Sequence, residues 1–320
     1  MQRPRLNKFY LFLLALILLT FSFINSSNSS SFKAQAILQK ADAKILLRPL
    51  KSKSENTKGS IETIISPDPI MVGDTVSVKV IKIKNEREPK VYFNKTKIPV
   101  FTLDENWHRG FIPLSANTKA GKYPLEIFYK GQVRKIDLIV NDTKYPLENL
   151  TLTKEVAALK ASKIEKSLVA KALSTVSSKK LWNGKFILPS LAPKSTVYGV
   201  KRRINGHLDP DYFHKGLDFA GKDGSNIRAP EDGEVILAGN QSMGFVVNGN
   251  CIFLDHGHGI ITAYLHLSKI NVNEGDFVKK GQVIGKVGSS GIASGPHLHW
   301  GVYVLGMTVD PLFWTSMIIE

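Results

Sequence analysis

The sequence predicts a mainly β protein, in which two β domains are joined by a helical linker. Short runs that alternate apolar and polar residues, such as Val76 to Lys84, recur between residues 61 and 145 with Gly and Asn turns between them. Residues 154–177 contain no Gly or Pro and repeat apolar residues every three or four positions. From Leu181 onward β patterns return, interrupted by many glycines. A chain of 320 residues is long enough for two such domains.

The chain begins with the pattern of an export signal over residues 1–25. Three basic residues precede an apolar run of 16 residues, Phe9 to Ile24, and a Ser/Asn stretch follows it. A run of this length lies at the border between a signal-peptide core and a transmembrane helix. No small-x-small cleavage site follows directly. This favours an uncleaved signal anchor over a cleaved signal peptide, with a short cytoplasmic N-terminus and the rest of the chain exported to the cell envelope.

Four segments follow the export signal. Residues 26–60 are rich in Ser, Asn, Lys and Ala and are predicted to form a flexible tether. Evenly spaced short strands with turn signals predict a small β-sandwich over residues 61–145, whose single histidine, His108, is expected at the surface. Residues 146–180 are predicted to form the linker, with one helix over 154–177, and residues 181–320 the second domain.

The formal net charge of +16 is unevenly distributed. Residues 1–200 carry 33 Lys and Arg against 15 Asp and Glu, whereas residues 201–320 carry 10 against 12. The basic excess is compatible with a solvated Lys-rich surface or with attraction to anionic membrane or cell-wall polymer. Nucleic acid is not a predicted partner, because no nucleic-acid-binding motif accompanies the charge.

Cys251 is the single cysteine, so no disulfide can form within the chain. Apolar residues flank it in a predicted strand, and we therefore expect a small core residue instead of a nucleophile.

Histidines are concentrated in the second domain, where seven of the eight lie between residues 207 and 299. His214 and Asp218 are separated by a segment whose Gly216 favours an extended or turning backbone. His297 and His299 are two positions apart on a predicted strand and would project from one face. Imidazole and carboxylate are suitable zinc ligands. Each motif alone also occurs by chance, and two histidines on a strand can simply be half-buried and bonded to backbone.

Three more histidines belong to a third motif. His266 stands between apolar residues, a setting in which a lone histidine is usually a core residue, so its role depends on the other two motifs. His256 and His258 lie in a Gly-rich turn and are expected to be structural or at the surface.

Together these residues resemble the lysostaphin/LytM-type (β-lytic) zinc metalloendopeptidases, which act on peptidoglycan. The resemblance covers roughly Leu181 to Pro311 and includes HKGLDFAG, GNCIFLDHGHGIITAYLHLS, VNEGDFVKKGQVIGKVGSSG and SGPHLHWGV. It implies an antiparallel, barrel-sandwich-like β domain with one Zn²⁺. It also implies site residues: His214, Asp218 and His299 as metal ligands, with His266 and His297 as catalytic residues. The segment from Gly239 to Gly249 departs from the family pattern.

The chemistry of these residues is compatible with this resemblance. Three protein ligands leave a fourth position for water, and zinc lowers the pKa of that water to about 7. His266 or His297 would take the water proton and stabilise the developing oxyanion. The predicted function is hydrolysis of peptide cross-links or stem peptides of peptidoglycan. The predicted partners are peptidoglycan and the cytoplasmic membrane, the latter through residues 1–25, and protein partners cannot be inferred.

Two other functions are compatible with parts of the sequence. A catalytically silent regulator or scaffold of other cell-wall hydrolases would share the domain, but such relatives typically lack metal ligands, and here all three are present. Gly275 to Gln282 resembles lipoyl and biotinyl carrier domains, but the Lys-containing tripeptide that carries the cofactor is missing.

Overall fold

The computed structural model describes residues 51–54, 61–84 and 86–316, which fall within one compact unit. The predicted export signal and nearly all of the predicted tether lie outside these residues. Within the described ranges, no helix is both long and apolar enough to cross a membrane. The described chain is mainly β, as predicted.

Two five-stranded sheets with a shared apolar core form the first part of the fold. Their orders are β1-β2-β4-β8-β7 and β3-β10-β9-β5-β6. The strands are β1 (Lys51–Ser54), β2 (Thr63–Asp68), β3 (Ile70–Met71), β4 (Thr75–Ile81), β5 (Lys90–Phe93), β6 (Thr96–Ile98), β7 (Val100–Thr102), β8 (Trp107–Pro113), β9 (Gly121–Tyr129) and β10 (Gln132–Asn141).

Strand β8 is buried along most of its length, and His108 on this strand is buried as well. The side chain is 2% exposed and its ring meets the edge of Tyr129 at 6.2 Å between centroids. The prediction of a surface histidine was therefore wrong. Side chains alternate along a strand, so His108 shares a face of β8 with Ile112, which belongs to the sandwich core, and the sandwich itself covers the ring. The opposite face of β8 is covered as well, because β4 and β8 lie against the second domain. There the indole N–H of Trp314 donates to the Thr75 hydroxyl.

The linker contains a strand, β11 (Leu147–Leu150), and two helices, α1 (Lys154–Ala158) and α2 (Lys163–Leu173). It thus differs from the single helix predicted over 154–177. The chain leaves α1 at Leu159, whose backbone is extended. The Ser162 hydroxyl then accepts the N–H of Glu165, and this N-cap favours a new helix start at that position. Ala172 of α2 is buried against the second domain.

A ten-stranded sheet dominates the second domain, with the order β12-β15-β22-β19-β18-β17-β20 and β16, β21 and β23 paired beside it. Every pairing within this sheet is antiparallel. The elements are β12 (Lys194–Thr196), β13 (Lys201–Ile204), β14 (His207–Leu208), β15 (Leu217–Phe219), β16 (Asn226–Arg228), β17 (Gly233–Gly239), β18 (Asn250–Asp255), β19 (Ile260–Ile270), β20 (Phe277–Val278), β21 (Val283–Val287), β22 (Leu298–Val304), β23 (Met307–Val309) and α3 (Pro311–Ser316). β13 and β14 instead join β11 in a small three-stranded sheet.

The central strands β18, β19 and β22 are buried on both faces. One face packs into the main core around Trp300 and Tyr264, and the other lies under α2 with Phe253 and Cys251. Cys251 is completely buried, and burial raises its pKa to about 12. The thiol is thus a core group, as predicted, and a poor nucleophile.

Candidate metal centre

Strand pairing brings three of the predicted site residues together. Asp218 on β15 lies directly opposite His299 on β22, and His214 precedes β15 by three residues. The Asp218 Oδ1 atom is 2.9 Å from His299 Nδ1 and 3.0 Å from His214 Nε2. The two imidazole nitrogens are themselves 3.0 Å apart. One ligand atom from each residue therefore converges on a single point.

The protonation of these atoms indicates that a cation fits between them. His214 Nδ1 lies 2.8 Å from the carbonyl oxygen of Val197 and donates to it, so Nε2 carries a lone pair in the neutral ring. That lone pair meets a carboxylate oxygen and the His299 nitrogen. Of the three atoms, His299 Nδ1 alone could carry a proton in the neutral state. Such a cluster of buried acceptors is what a metal ion satisfies.

Electrostatics keep both ligand types in the forms that bind metals. Burial by itself would raise the pKa of Asp218, but the charges and hydrogen bonds of His214 and His299 lower it well below its ordinary value. Burial lowers the pKa of His299, although Asp218 opposes this shift. The site therefore presents a carboxylate and a neutral imidazole at neutral pH. Arg202 Nη2 lies 3.7 Å from Oδ2, the second oxygen of Asp218.

His266 lies beside this cluster in an unusual backbone conformation. Its φ is +66°, a left-handed value that is uncommon for residues other than Gly, at an irregularity where β19 changes register against β18. Its Nδ1 donates to the carbonyl of Ser290 at 2.9 Å, which leaves a lone pair on Nε2. Burial, with the nearby His299 and His297, lowers the pKa of His266 to about 3.

His297 completes the group. It immediately precedes β22 and donates from Nδ1 to the carbonyl of Gly295 at 2.8 Å. Its ring centroid is 4.8 Å from that of His266, which is 6.1 Å from that of His299. Five predicted site residues thus meet in one place. Within the described part of the chain, the Nε2 atoms of His266 and His297 have no hydrogen-bond partner and lie beside the cluster of His214, Asp218 and His299.

The other histidines lie elsewhere. His256 is fully buried, donates to the carbonyl of Asp232 and bonds Thr262 through its second nitrogen. His258 stacks on Phe101 of β7 with 4.3 Å between centroids. Both are structural residues, one of the two roles expected for them. His207 on β14 is exposed.

The cluster opens into a groove of about 1140 Å³. Its lining includes Leu150, Val156 and Val169 of the linker, together with residues 247–248 and 292–297 of the second domain. Sequence patterns did not predict that the linker lines the site, nor that Arg202 does. Arg202 stands in a Lys-Arg-Arg run that resembles an ordinary solvated strand, and no local signal marks it as a groove residue.

Comparison with known proteins agrees with this geometry. Residues 212–311 match the family model of Peptidase family M23, and the match spans all five site residues. The chain contains a peptidase family M23 domain. The resemblance predicted from the sequence is thus confirmed.

Several relatives that match this domain are named as peptidases. An uncharacterized metalloprotease of Haemophilus influenzae is 38% identical over 130 residues, which are 40% of this chain and 26% of the relative. The peptidoglycan DD-endopeptidase ShyA of Vibrio cholerae is 36% identical over 121 residues, which are 35% of this chain and 27% of ShyA. The match therefore spans about a quarter of each of these curated relatives.

A solved structure extends the likeness beyond the M23 domain. The crystal structure of a peptidase M23 from Pseudomonas aeruginosa is 27% identical, with a TM-score of 0.57. The alignment covers 78% of this chain and 96% of the other. Much of the described architecture is thus shared with that protein.

Proposed function

We propose that this protein is a zinc-dependent endopeptidase that hydrolyses peptide cross-links or stem peptides of bacterial peptidoglycan. The observation that carries the proposal is the convergence of three buried metal-binding atoms, from His214, Asp218 and His299, beside two histidines with a free Nε2. The substrate class is supported by relatives such as ShyA, which is named as a peptidoglycan DD-endopeptidase.

Two histidines outside the proposed ligand set, His266 and His297, are placed to act in the chemical step. Bound zinc would supply a Lewis acid and lower the pKa of a water molecule in the site. His266 and His297 hold Nε2 lone pairs close to the cluster, because carbonyl oxygens fix their Nδ1 protons. The ring that takes the proton of the attacking water can deliver it to the amine that leaves when the C–N bond breaks. Because burial lowers the pKa of His266, its ring is a weak base and a strong proton donor once it is protonated. A protonated ring can also donate to the carbonyl oxygen as negative charge develops there.

The groove fits an extended peptide. Its lining includes residues of the linker, His266 on β19 and residues 292–297, so a chain lying in it would bring a peptide bond to the cluster. Arg202, paired with Glu148 at 3.6 Å, places positive and negative charge at one part of this groove. A peptide with free carboxylates and amines, such as a peptidoglycan stem, has complementary groups.

Peptidoglycan as the substrate places the protein in the cell envelope. The basic excess of residues 1–200 would hold the chain near anionic polymer. Anchoring by residues 1–25 stays a prediction from the sequence, because these residues lie outside the described part.

The test combines metal removal with a ligand variant. We expect the purified protein to clear peptidoglycan in a gel assay, to lose this activity with a chelator and to recover it with zinc. His299→Ala should lose both activity and tightly bound zinc, measured by elemental analysis. His207→Ala is the matched control, because that histidine is exposed and is not among the residues that line the groove. A His299→Ala variant that digests peptidoglycan at the unmodified rate would falsify the proposal. Binding of zinc and peptidoglycan fragments without any product would favour the silent regulator.

A further inference from the structure

Glu165 on the linker helix α2 is a buried carboxylate bound to the second domain. Its side chain accepts three backbone N–H groups from one loop: Val246 at 2.9 Å and Val247 at 3.1 Å on Oε2, and Asn248 at 2.7 Å on Oε1. The residue is 1% exposed. Hydrogen bonds to an ionised acceptor are about twice as strong as neutral ones. The helix therefore holds residues 246–249, which we call the clamp loop.

The clamp loop is hydrogen-bonded directly to the backbone of His266, a candidate catalytic residue. The carbonyl of Asn248 accepts the backbone N–H of His266 at 3.0 Å. The carbonyl of Val247 accepts the N–H of Ile292 at 2.9 Å, and Val247 and Asn248 line the groove. The loop thus connects α2 to both the His266 backbone and the segment that leads to His297.

Close packing continues this connection to the His266 ring. Gly249 has a φ of +62° and lies so close to Ser290 that a Cβ atom would overlap it. Ser290 supplies the carbonyl that accepts His266 Nδ1–H. Both the main chain and the ring of His266 are consequently held by partners that rest on the clamp loop.

The conformation of His266 makes this support necessary. A left-handed φ on a residue with a Cβ is strained and persists only where surrounding contacts hold it. The N–H bond to Asn248 and the ring bond to Ser290 are two of the contacts that hold it. If the clamp loop were released, the backbone at His266 could leave the left-handed conformation, and its ring would move away from His214, Asp218 and His299.

We propose that Glu165 is a positioning residue, through which the linker helix fixes the clamp loop and, with it, the ring of His266. The inference rests on the proposed function for its catalytic consequence. The helix α2 is then a part of the active site instead of a spacer. A movement of the linker would shift the ring of His266 through the Glu165 carboxylate.

Glu165→Gln tests the inference with minimal change in shape. The amide keeps one oxygen acceptor but turns an NH₂ group toward backbone N–H donors. We expect kcat to fall by about 10- to 100-fold, a size typical for loss of a group that supports a site residue. Bound zinc should stay at one per chain, and KM should change far less than kcat. Amide hydrogen exchange should rise at Val246 to Asn248 and at His266.

Two controls separate positioning from general loosening. Lys166→Gln changes the exposed neighbour on the same helix and should behave as the unmodified protein. Leu168→Ala weakens the packing of α2 against the second domain without touching the carboxylate. It should lower the melting temperature but leave kcat within about twofold. An equal loss of kcat in Leu168→Ala and Glu165→Gln at equal loss of melting temperature would overturn the inference, because the role would then be merely structural.

The exchange measurement keeps the two proposals apart. Were the unmodified protein to hydrolyse no peptidoglycan, the proposed function would fail, but the clamp would still be tested at the His266 amide. Faster exchange there in Glu165→Gln supports positioning, and unchanged exchange contradicts it whatever the activity.

Discussion

At the scale of single residues, the site contains two kinds of histidine, which differ in whether a ring nitrogen points at Asp218. His214 and His299 direct ring nitrogens at Asp218, and all three are buried. His266 and His297 lie beside this cluster and line the same groove, with Nδ1 hydrogen-bonded to carbonyl oxygens. The first group can hold a metal and the second can move protons.

This separation predicts different effects of alanine variants. His266→Ala should retain zinc, because its ring is not among the three converging groups, yet kcat should fall by about 10²- to 10⁴-fold, the usual loss for a positioned acid or base. His297→Ala should also retain zinc. Elemental analysis and hydrolysis of a defined peptidoglycan fragment would be measured on the same samples. Loss of zinc from His266→Ala at unchanged melting temperature would mean that the ring is a ligand.

The residues that could be predicted from sequence carry their signal locally. His214 and Asp218 are four positions apart, and His297 and His299 share a two-residue spacing that is meaningful on a strand. Glu165 and Arg202 carried no such signal. Glu165 bonds backbone groups 81 to 83 positions further along the chain, and a buried carboxylate that accepts main-chain N–H groups needs no particular side chain at the other end. Contacts of that kind leave no motif.

At the scale of elements, the ligand set depends on how closely β15 approaches β22. Gly216 stands immediately before β15, where a Cβ atom would lie 2.5 Å from the carbonyl oxygen of Trp300 and 2.7 Å from His299 Nε2. Glycine is needed here for close approach, since real Cβ contacts are longer than 3.0 Å. In the sequence this glycine indicated an extended or turning segment, and β15 agrees.

Gly216→Ala should therefore weaken zinc binding without altering any ligand. The added methyl group must push His299 or separate β15 from β22, and a displacement of this kind degrades a metal site that needs well-placed ligands. We expect zinc affinity to fall by at least about 10-fold, measured by competition with a chromogenic chelator. Gly295→Ala is the control, because nothing lies within 4 Å of the position that its methyl group would occupy. Equal zinc affinity in both variants would contradict this account of Gly216.

Element types were easier to predict than their limits. The two-residue alternation of the sandwich identified strands such as β4 correctly. The linker helix was predicted too long, because the helical spacing of apolar residues continues across residues 159–162. In the structure the first helix ends at Leu159, and the N-cap at Ser162 starts a second helix. Apolar spacing shows that a helix forms, whereas hydrogen bonds at the caps decide where it begins and ends.

At the scale of the whole molecule, the sandwich and the second domain share an aromatic interface. Phe111 of β8 packs against Trp182 and Trp314, with ring centroids 6.2 and 5.8 Å apart. Trp314 also donates to Thr75 of β4. The sandwich is therefore not a separate attachment, because it packs directly against the second domain. Sequence patterns placed strands in both segments but gave no indication of this interface.

Arg109 is the unusual member of the interface. Its side chain is completely buried, and none of its three guanidinium nitrogens has a hydrogen-bond partner among the described residues. It lies over the rings of Phe111 and Trp182, at 5.6 and 5.8 Å from their centroids. Burial lowers its pKa to about 10, so it stays charged at neutral pH. A cation over an aromatic ring gains about 0.5–2 kcal/mol, whereas a buried charge without hydrogen bonds costs several kcal/mol.

Arg109→Met should consequently stabilise the protein. Methionine fills a similar length with apolar atoms and still contacts the aromatic rings, while the cost of burying the charge is removed. We expect the melting temperature at pH 7 to rise by about 2–6 °C, which corresponds to about 1–2 kcal/mol in a domain of this size. Arg87→Met, at an exposed position, should change it by less than about 1 °C. A fall in the Arg109→Met melting temperature would show instead that the stacked guanidinium makes net favourable contacts across the interface.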